Sequence, residues 1–328
     1  MIDLNELSMR IAVGQFSELT EEQLAFAVQC GAKDIQLNTP RLPGTERWEY
    51  EDLKDLADRT AAYGLRLICI ENVPISFYDK IMTGAEGREQ QLENMQAIVR
   101  NMGKAGIPIL GYHWMPNGVW RTSFETKLRG GATANEFRMN LAKTELTHGR
   151  VYTEEEIWAN YDWYLERMLP VCEEVGVRMA LHPDDPPVPM LGGVARIFTG
   201  FEGFKRAMDT HPSKMHGLDF CHGCWSEMRN GAGILEAIEH FGKDGRILYV
   251  HMRDVQGCAD DFQECFLGEG NSNIPAVLRR LKSVGFNGFI LDDHVPFLVN
   301  DSSWGHRGRA LSTGYIAGVL ATINDESE

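Results

Sequence analysis

The chain has 328 residues, which is enough for one large α/β domain or two small ones. Its residues are 43% hydrophobic and 24% charged, as is typical of a globular protein with a large core. The net charge of −15 argues against a nucleic-acid partner, because phosphate binding needs clustered lysine and arginine. No apolar run approaches the roughly 18 residues of a membrane span, and residues 1–7 lack the pattern of a signal peptide.

The seven cysteines are an odd number and are scattered, without the spacing of a zinc ribbon. This usage favours a reducing compartment, and we therefore expect a cytoplasmic protein. Cys30, Cys69 and Cys172 lie in apolar segments and are expected to be packing residues.

Strand-like and helix-like segments alternate along the chain. The predicted strands are short and rich in Ile, Val and Leu, as expected of parallel strands that are buried on both faces. They are Arg10–Phe16, Asp34–Asn38, Leu65–Asn72, Ile107–Trp114, Val177–His182, Met215–Cys221, Ile247–Arg253 and Gly288–His294. The predicted helices between them include Glu21–Cys30, Glu51–Tyr63, Glu89–Ala105, Glu154–Val175 and Ile274–Val284. Eight such units favour a closed (β/α)8 TIM barrel over an open sheet.

One segment, residues 117–152, interrupts this alternation after the fourth predicted strand. It is too long for an ordinary loop and carries a local excess of basic residues. Because a long insertion after a barrel strand lies on the catalytic face, we predict that it is a lid. The alternative is a pair of solvated surface helices. No Pro- or Ser-rich linker is present, so we expect a single domain over residues 1–328.

Four predicted strands end in a side chain that can bind a metal: His182, Cys221, His251 and Asp293. They are about one strand–helix unit apart, so a barrel would gather them around one cavity. Imidazole, thiolate and carboxylate all bind divalent metals when deprotonated. The thiolate favours zinc, whereas a carboxylate with two imidazoles also suits manganese or iron. The pattern therefore predicts a divalent metal site without choosing the metal.

The segment His182-Pro183-Asp184-Asp185-Pro186-Pro187 is the most specific motif in the chain. Its prolines deny the backbone a helix after the strand, so the loop should turn across the barrel mouth. Asp184 or Asp185 could orient a histidine ligand, or could cap the next helix.

Adjacent to each other, Asp293 and His294 offer a carboxylate and an imidazole at the end of the last predicted strand. One of them can hold a metal while the other moves protons, a task that suits the pKa of histidine. Tyr315, which follows Gly314, is either a second proton-transfer residue or a packing residue of an amphipathic segment.

Several of these segments together resemble the mannonate dehydratase family. The resemblance rests on residues 170–187, Glu71-Asn72-Val73-Pro74-Ile75, Tyr112-His113-Trp114-Met115-Pro116, Trp120-Arg121-Thr122, His251-Met252-Arg253 and Gly314-Tyr315. It covers most of the chain, and the His-Pro-Asp-Asp-Pro-Pro segment is highly specific. The chain departs from the family at Cys221-His222-Gly223-Cys224, where the family has Cys-Thr-Gly-Ser, and at Val295, where it has glycine.

The resemblance implies a TIM barrel akin to the xylose isomerase-like enzymes. It implies a lyase of hexuronate catabolism that dehydrates D-mannonate to 2-keto-3-deoxy-D-gluconate, usually with Mn²⁺, although Fe²⁺ and Zn²⁺ also suit the ligands. Its metal ligands would be His182, Cys221, His251 and Asp293. His294 and Tyr315 would transfer protons, and Glu71, His113, Arg121 and Arg253 would bind the substrate.

Two other functions stay open. A sugar isomerase or epimerase on the same scaffold usually needs two acidic residues for proton transfer, and here Glu71 is the obvious candidate. A sugar-acid binding protein without turnover is the second alternative, against which the presence of His294 and Tyr315 weighs. The expected partner is a small sugar acid, with no nucleic acid or membrane, and a homo-oligomer is compatible with the sequence.

Overall fold

A closed parallel barrel is the centre of the computed structural model, which describes residue 2 and residues 4–326. Met1, Asp3, Ser327 and Glu328 belong to the predicted domain but lie outside the described residues. The barrel strands are β1 (Arg10–Phe16), β2 (Asp34–Asn38), β3 (Arg66–Glu71), β4 (Ile109–Tyr112), β7 (Arg178–Leu181), β10 (His216–Cys221), β11 (Ile247–Met252) and β14 (Phe289–Asp292). They close in the order β1-β14-β11-β10-β7-β4-β3-β2. The predicted TIM barrel is confirmed, and each predicted strand overlaps an observed one.

Helices follow most of the barrel strands and cover the outside of the barrel. They are α1 (Glu21–Gln29), α2 (Tyr50–Ala62), α3 (Asp79–Thr83), α4 (Arg88–Ala105), α5 (Glu154–Val175), α6 (Phe201–Thr210), α7 (His222–Glu227), α8 (Ile234–Lys243), α9 (Ile274–Ser283) and α10 (His306–Asp325). Thr20 and Thr153 begin α1 and α5 with capping boxes, in which side chain and backbone satisfy each other's free groups. None of the described helices combines the length and the apolar character that crossing a membrane requires.

Side chains that alternate along the strands build the inside of the barrel in layers. An apolar layer includes Cys69, Ala180, Tyr249 and Leu291. Successive side chains of a strand point to opposite faces, so the residue two positions further on points inward again. Those residues are Glu71, His182, His251 and Asp293, one layer closer to the carboxyl ends of the strands. The barrel thus carries ionisable groups directly above a mainly apolar layer, which also contains Asp219 opposite Tyr249.

The predicted lid segment folds as strands rather than as a pair of helices. It contains β5 (Ser123–Lys127) and β6 (Thr133–Arg138), which join β12 (Asp254–Cys258) and β13 (Asp261–Cys265) in an antiparallel sheet. We call these four strands the mouth sheet, because they follow the carboxyl ends of β4 and β11. Phe137 and Phe262 pack between them with ring centroids 6.1 Å apart. A short hairpin, β8 (Met190–Leu191) and β9 (Val194–Ala195), follows β7.

Candidate active site

Three of the four predicted metal ligands come together at the carboxyl ends of their strands. His182 follows β7, Cys221 ends β10 and His251 lies on β11, directly opposite Cys221 in the strand register. One ligand atom from each residue lies within 4.8 Å of the other two, and all three residues are buried. We call these residues the ligand triad.

The ring of His182 is oriented by the backbone. Its Nδ1 lies 2.7 Å from the carbonyl oxygen of Pro183, so the N–H donates there. Burial would lower the pKa of His182, but Cys221 and Asp219 outweigh burial and raise it to about 10, so a metal at Nε2 would have to displace a proton.

Neither Asp184 nor Asp185, which could have oriented a ligand histidine or capped the next helix, bonds to the ring of His182. Asp184 accepts the N–H of Phe198 at 2.7 Å, and Asp185 is taken by arginine side chains. The carbonyl oxygen of Pro183, one residue away, already accepts the Nδ1–H of His182.

The Cys221 thiol is surrounded by groups that favour its ionised form. Burial alone would raise its pKa, but a hydrogen bond from Cys224 and the positive charges of Arg253 and His182 outweigh burial. They hold the pKa of Cys221 well below its ordinary value. Because the thiolate is the form that binds metals, the sulfur is prepared to be a ligand.

The ring of His251 lies between two carboxylates. Its Nε2 is 3.0 Å from Oε2 of Glu71, and its Nδ1 is 3.5 Å from Oδ2 of Asp219. Neither oxygen of Asp219 nor Nδ1 of His251 has a hydrogen-bond partner within the described residues, although all three atoms are buried. Buried polar groups are normally satisfied, so this set has the donor atoms that a divalent cation would fill. The ligand triad and its surroundings therefore fit a metal.

Sequence reasoning did not assign Asp219, although a signal for it was present. Asp219 precedes Cys221 by two residues on the same strand. Since alternate residues of a strand share a face, a predicted inward Cys221 implies an inward carboxylate at Asp219.

Asp293, the fourth predicted ligand, is not among the residues whose ligand atoms cluster in the ligand triad. Its Oδ2 accepts a hydrogen bond from Nε of Arg253 at 3.2 Å. In this arrangement the carboxylate neutralises a buried guanidinium, so a bond from Asp293 to a metal would require its release from Arg253.

His294 reaches further toward solvent than its neighbours, with 32% of its side chain exposed against 8% for Asp293. Its Nδ1 lies 2.7 Å from Oε1 of Glu264, and Nη2 of Arg121 lies 3.4 Å from the same nitrogen. Burial would lower the pKa of His294, but the negative charges of Asp293 and Glu264 outweigh burial and raise it. The structure thus holds an orientated, partly exposed imidazole of raised pKa next to Asp293.

Arg121 and Arg253, two predicted substrate-binding residues, are engaged by carboxylates of the protein. Arg121 binds Asp185 with two nitrogens at 2.6 and 2.8 Å and Glu264 at 2.8 Å. Arg253 donates to Asp185 at 2.9 Å and to Glu227 at 2.7 Å, as well as to Asp293. Their side chains are 2% and 0% exposed. Their donors are therefore satisfied internally, a pairing that sequence reasoning did not anticipate.

The buried pair of arginines controls the charge of the carboxylate between them. Burial would raise the pKa of Asp185, but the charges of Arg121 and Arg253 overcome burial and lower it to about 2. Asp185 therefore stays ionised at neutral pH and joins the loop after β7 to the loops after β4 and β11.

The remaining predicted residues lie in different places. His113 follows β4 and is buried, and its Nδ1 accepts the N–H of Met115 at 3.1 Å. Burial, with the charges of His182 and Arg196, lowers the pKa of His113 to about 3, so a neutral ring presents an Nε2–H donor. Tyr315 lies within α10, where its hydroxyl packs against Gly268. Among the described residues no hydrogen bond joins Tyr315 to the ligand triad or to His294.

Comparisons with a family model and with individual sequences both find mannonate dehydratases. The model of the family "D-mannonate dehydratase (UxuA)" matches residues 9–149 and 134–328. A mannonate dehydratase of Thermotoga maritima is 29% identical over 322 residues, 86% of this chain and 88% of that one. One of Streptococcus suis is 30% identical over 311 residues, 85% of this chain and 84% of that one.

Solved structures agree with these sequence matches. The crystal structure of mannonate dehydratase from Streptococcus suis serotype 2 superposes with a TM-score of 0.87 at 27% identity, covering 97% of this chain and 96% of that chain. A D-tagatose 3-epimerase-like protein superposes with a TM-score of 0.67 at 18% identity, covering 98% of this chain and 100% of that chain. This second match shows a shared barrel fold alone.

Proposed function

Since the chain belongs to the D-mannonate dehydratase family, and is thus a hydro-lyase, we propose that it converts D-mannonate to 2-keto-3-deoxy-D-gluconate. The reaction removes the C2 proton and the C3 hydroxyl of the sugar acid as water, and the enol that remains becomes the 2-keto acid. The observation that supports it best is the buried ligand triad together with the orientated, partly exposed imidazole of His294.

We propose that His182, Cys221 and His251 hold a divalent cation, and that Asp293 joins them on release from Arg253. A cation bound there would polarise the substrate carboxylate and stabilise the negative charge that develops as the C2 proton leaves. The resemblance favours Mn²⁺, while the thiolate also suits Zn²⁺ and the imidazoles suit Fe²⁺.

Proton transfer is proposed for His294. Glu264 fixes its Nδ1, so Nε2 is the atom left to take or give a proton at the cavity. The raised pKa keeps a larger fraction of the ring protonated near neutral pH, which suits protonation of the leaving hydroxyl.

Tyr315 remains the second predicted proton-transfer residue on the strength of the resemblance. Tyr315→Phe is its test, with turnover measured at saturating substrate. A loss of about 10²-fold or more supports the role, because that is the usual scale of general acid–base catalysis. Unchanged turnover assigns Tyr315 to the packing of α10 against Gly268, where the structure has it.

We propose that the substrate lies between the ligand triad and the loops that carry the predicted binding residues. The neutral His113 supplies a hydrogen-bond donor, and Glu71 supplies an acceptor at the end of β3. Arg121 and Arg253 remain candidate substrate ligands on the strength of the resemblance, and contact with a sugar acid would require their release from the carboxylates that they bind. The mouth sheet is proposed to cover the cavity as the lid.

The test is incubation of metal-loaded protein with D-mannonate and Mn²⁺, followed by mass analysis of the product. Loss of one water and appearance of a 2-keto-3-deoxy acid are expected. A product of unchanged mass would instead support an isomerase or epimerase, and binding without any turnover would support a sugar-acid binding protein. Protein stripped of metal with a chelator is the control, and should be inactive until Mn²⁺ is restored.

A further inference from the structure

The side chain of Asp219 is buried and lacks a hydrogen-bond partner among the described residues. The residue is 1% exposed, and neither of its side-chain oxygens accepts a hydrogen bond within the described part of the chain. The hydroxyl of Tyr249, on the neighbouring strand, is also unsatisfied. An isolated buried carboxylate is unfavourable unless a cation or a set of donors compensates it. The imidazole of His251 lies 3.5 Å from Oδ2 of Asp219 but makes no hydrogen bond to it, so both carboxylate oxygens keep the capacity to bind a cation.

Asp219 lies next to the ligand triad. It is two residues before Cys221 on β10, and the strand register places Asp219 opposite Tyr249 and Cys221 opposite His251. A second set of ligand atoms within 4.8 Å of one another consists of Glu71, Asp219 and His251. His251 belongs to both sets, so Asp219 and Cys221 both lie close to the same imidazole.

The two nitrogens of His251 have different surroundings. Nε2 is 3.0 Å from Oε2 of Glu71 and 3.1 Å from the amide nitrogen of Gln15, which itself donates to Glu71. When the proton of the ring is on Nε2 and is donated to Glu71, the lone pair is on Nδ1. Nδ1 is unsatisfied and lies 3.5 Å from Oδ2 of Asp219. Two ligands about 2.1 Å from one ion at a tetrahedral angle are about 3.4 Å apart. The spacing therefore fits two ligands of one cation.

The other carboxylates near His251 are already satisfied. Glu71 accepts hydrogen bonds from the side-chain amides of Gln15, at 2.9 Å, and of Gln36. Asp293 accepts from Arg253 at 3.2 Å. Asp219 has neither an amide nor a guanidinium, so it is the carboxylate of this cluster with its full capacity to bind a cation.

We propose that Asp219 is a further ligand of the divalent cation, bound beside Nδ1 of His251. The inference rests on the metal of the proposed function, and it adds a residue that neither the strand-end pattern nor the family resemblance assigned. The carboxylate of Asp219 and the thiolate of Cys221 together carry the two negative charges that neutralise a divalent cation. The two imidazoles then bind as neutral ligands, as metal binding requires.

The test compares Mn²⁺ binding by metal-free wild type, Asp219→Asn and Asp292→Asn, using isothermal titration calorimetry. Asp219→Asn keeps the shape of the side chain but removes its charge, and we expect its affinity for Mn²⁺ to fall at least about 10-fold. Asp292→Asn is the matched control, since Asp292 is equally buried on β14 but is paired with Arg309 at 2.6 Å. Its affinity for Mn²⁺ should stay within about twofold of wild type.

Thermal unfolding gives an independent reading on the same proteins. Without metal, Asp219→Asn should melt close to wild type, because the carboxylate that it replaces makes no hydrogen bond and has only its 3.5 Å contact with His251 to lose. With Mn²⁺ its rise in melting temperature should be smaller than that of wild type, in proportion to the weaker binding. Asp219→Asn with the affinity of wild type overturns the inference, whereas wild type without any affinity for Mn²⁺ overturns the proposed metal function instead.

A crystal structure of wild type soaked in Mn²⁺ tests the same inference without a variant. Anomalous density bonded to Asp219 as well as to the ligand triad is expected. An ion held by His182 and Cys221 with both oxygens of Asp219 beyond bonding distance overturns the proposal, even if Asp219→Asn does not fold.

Discussion

Replacing His294 by asparagine separates proton transfer from metal binding. His294 is not a member of the ligand triad, and its Nδ1 lies 2.7 Å from Glu264. The carboxamide nitrogen of asparagine lies about as far from the backbone as Nδ1 does, so it can keep this hydrogen bond. What the variant loses is the second ring nitrogen, and with it a group that titrates near neutral pH.

The expected cost follows from that single loss. General acid–base groups contribute about 10²–10⁴-fold to the rate, so turnover should fall by at least about 10²-fold. This is about 2.7 kcal/mol of activation free energy. The bound metal should stay at the level of wild type, and KM should change little, because no residue of the ligand triad is altered.

The assay is steady-state formation of the 2-keto-3-deoxy acid, together with metal analysis of the purified protein. Asp293→Asn is the matched comparison, and should lose metal affinity first and activity as a consequence. Turnover of His294→Asn within about threefold of wild type would refute its role in proton transfer. Loss of metal from His294→Asn with retention by Asp293→Asn would reverse the two assignments.

Three other outcomes are expected. Cys221→Ser should lose most of its bound metal, because a hydroxyl is a far poorer ligand than a thiolate. Cys224→Ser should retain its metal, because the new hydroxyl can still donate to the Cys221 thiolate. Equal metal content in the two variants would remove Cys221 from the site. Arg253→Met should lower the free energy of unfolding, measured by urea titration, by about 3–5 kcal/mol, because it leaves buried carboxylates unpaired. Unchanged stability together with a raised KM would make Arg253 a substrate ligand instead. The pKa of Asp185, lowered from 3.8 to about 2, makes its contribution to stability present above about pH 4 and lost as the pH falls toward 2. Denaturation at a series of acid pH values should show this step, and Asp185→Asn should lack it.

The barrel was predictable because each of its elements carries a local signal. Glu154–Val175 has a threonine cap and a closing glycine, and its predicted bounds agree with those of α5. The strands of the mouth sheet carry no such signal, because their partners are distant in the chain. β6 pairs with β13, so that Phe137 faces Phe262, and only the folded barrel brings these segments together.

The clustering of the ligand triad was predictable from the barrel itself, because the carboxyl ends of its parallel strands lie on one side. The ion pairs were not predictable, because the position of an arginine in the sequence does not reveal which carboxylate it pairs with in the fold. Arg121 and Arg253 were expected to face substrate, and the fold brings Asp185 between them instead. Asp219 was within reach of sequence reasoning, since it shares a strand face with Cys221.

The mouth sheet makes the loops of this barrel interdependent. The segment after β4 is joined to the hairpin after β11 by a backbone ladder, and Thr133 bridges to Phe297 in the loop after β14. Asn135 and Arg121 of that segment both bond to Glu264 on β13. Loops of a TIM barrel are often treated as exchangeable parts on a fixed frame. In this protein they would have to be exchanged together, because a graft of one of them would leave its neighbours without their hydrogen-bonding edge.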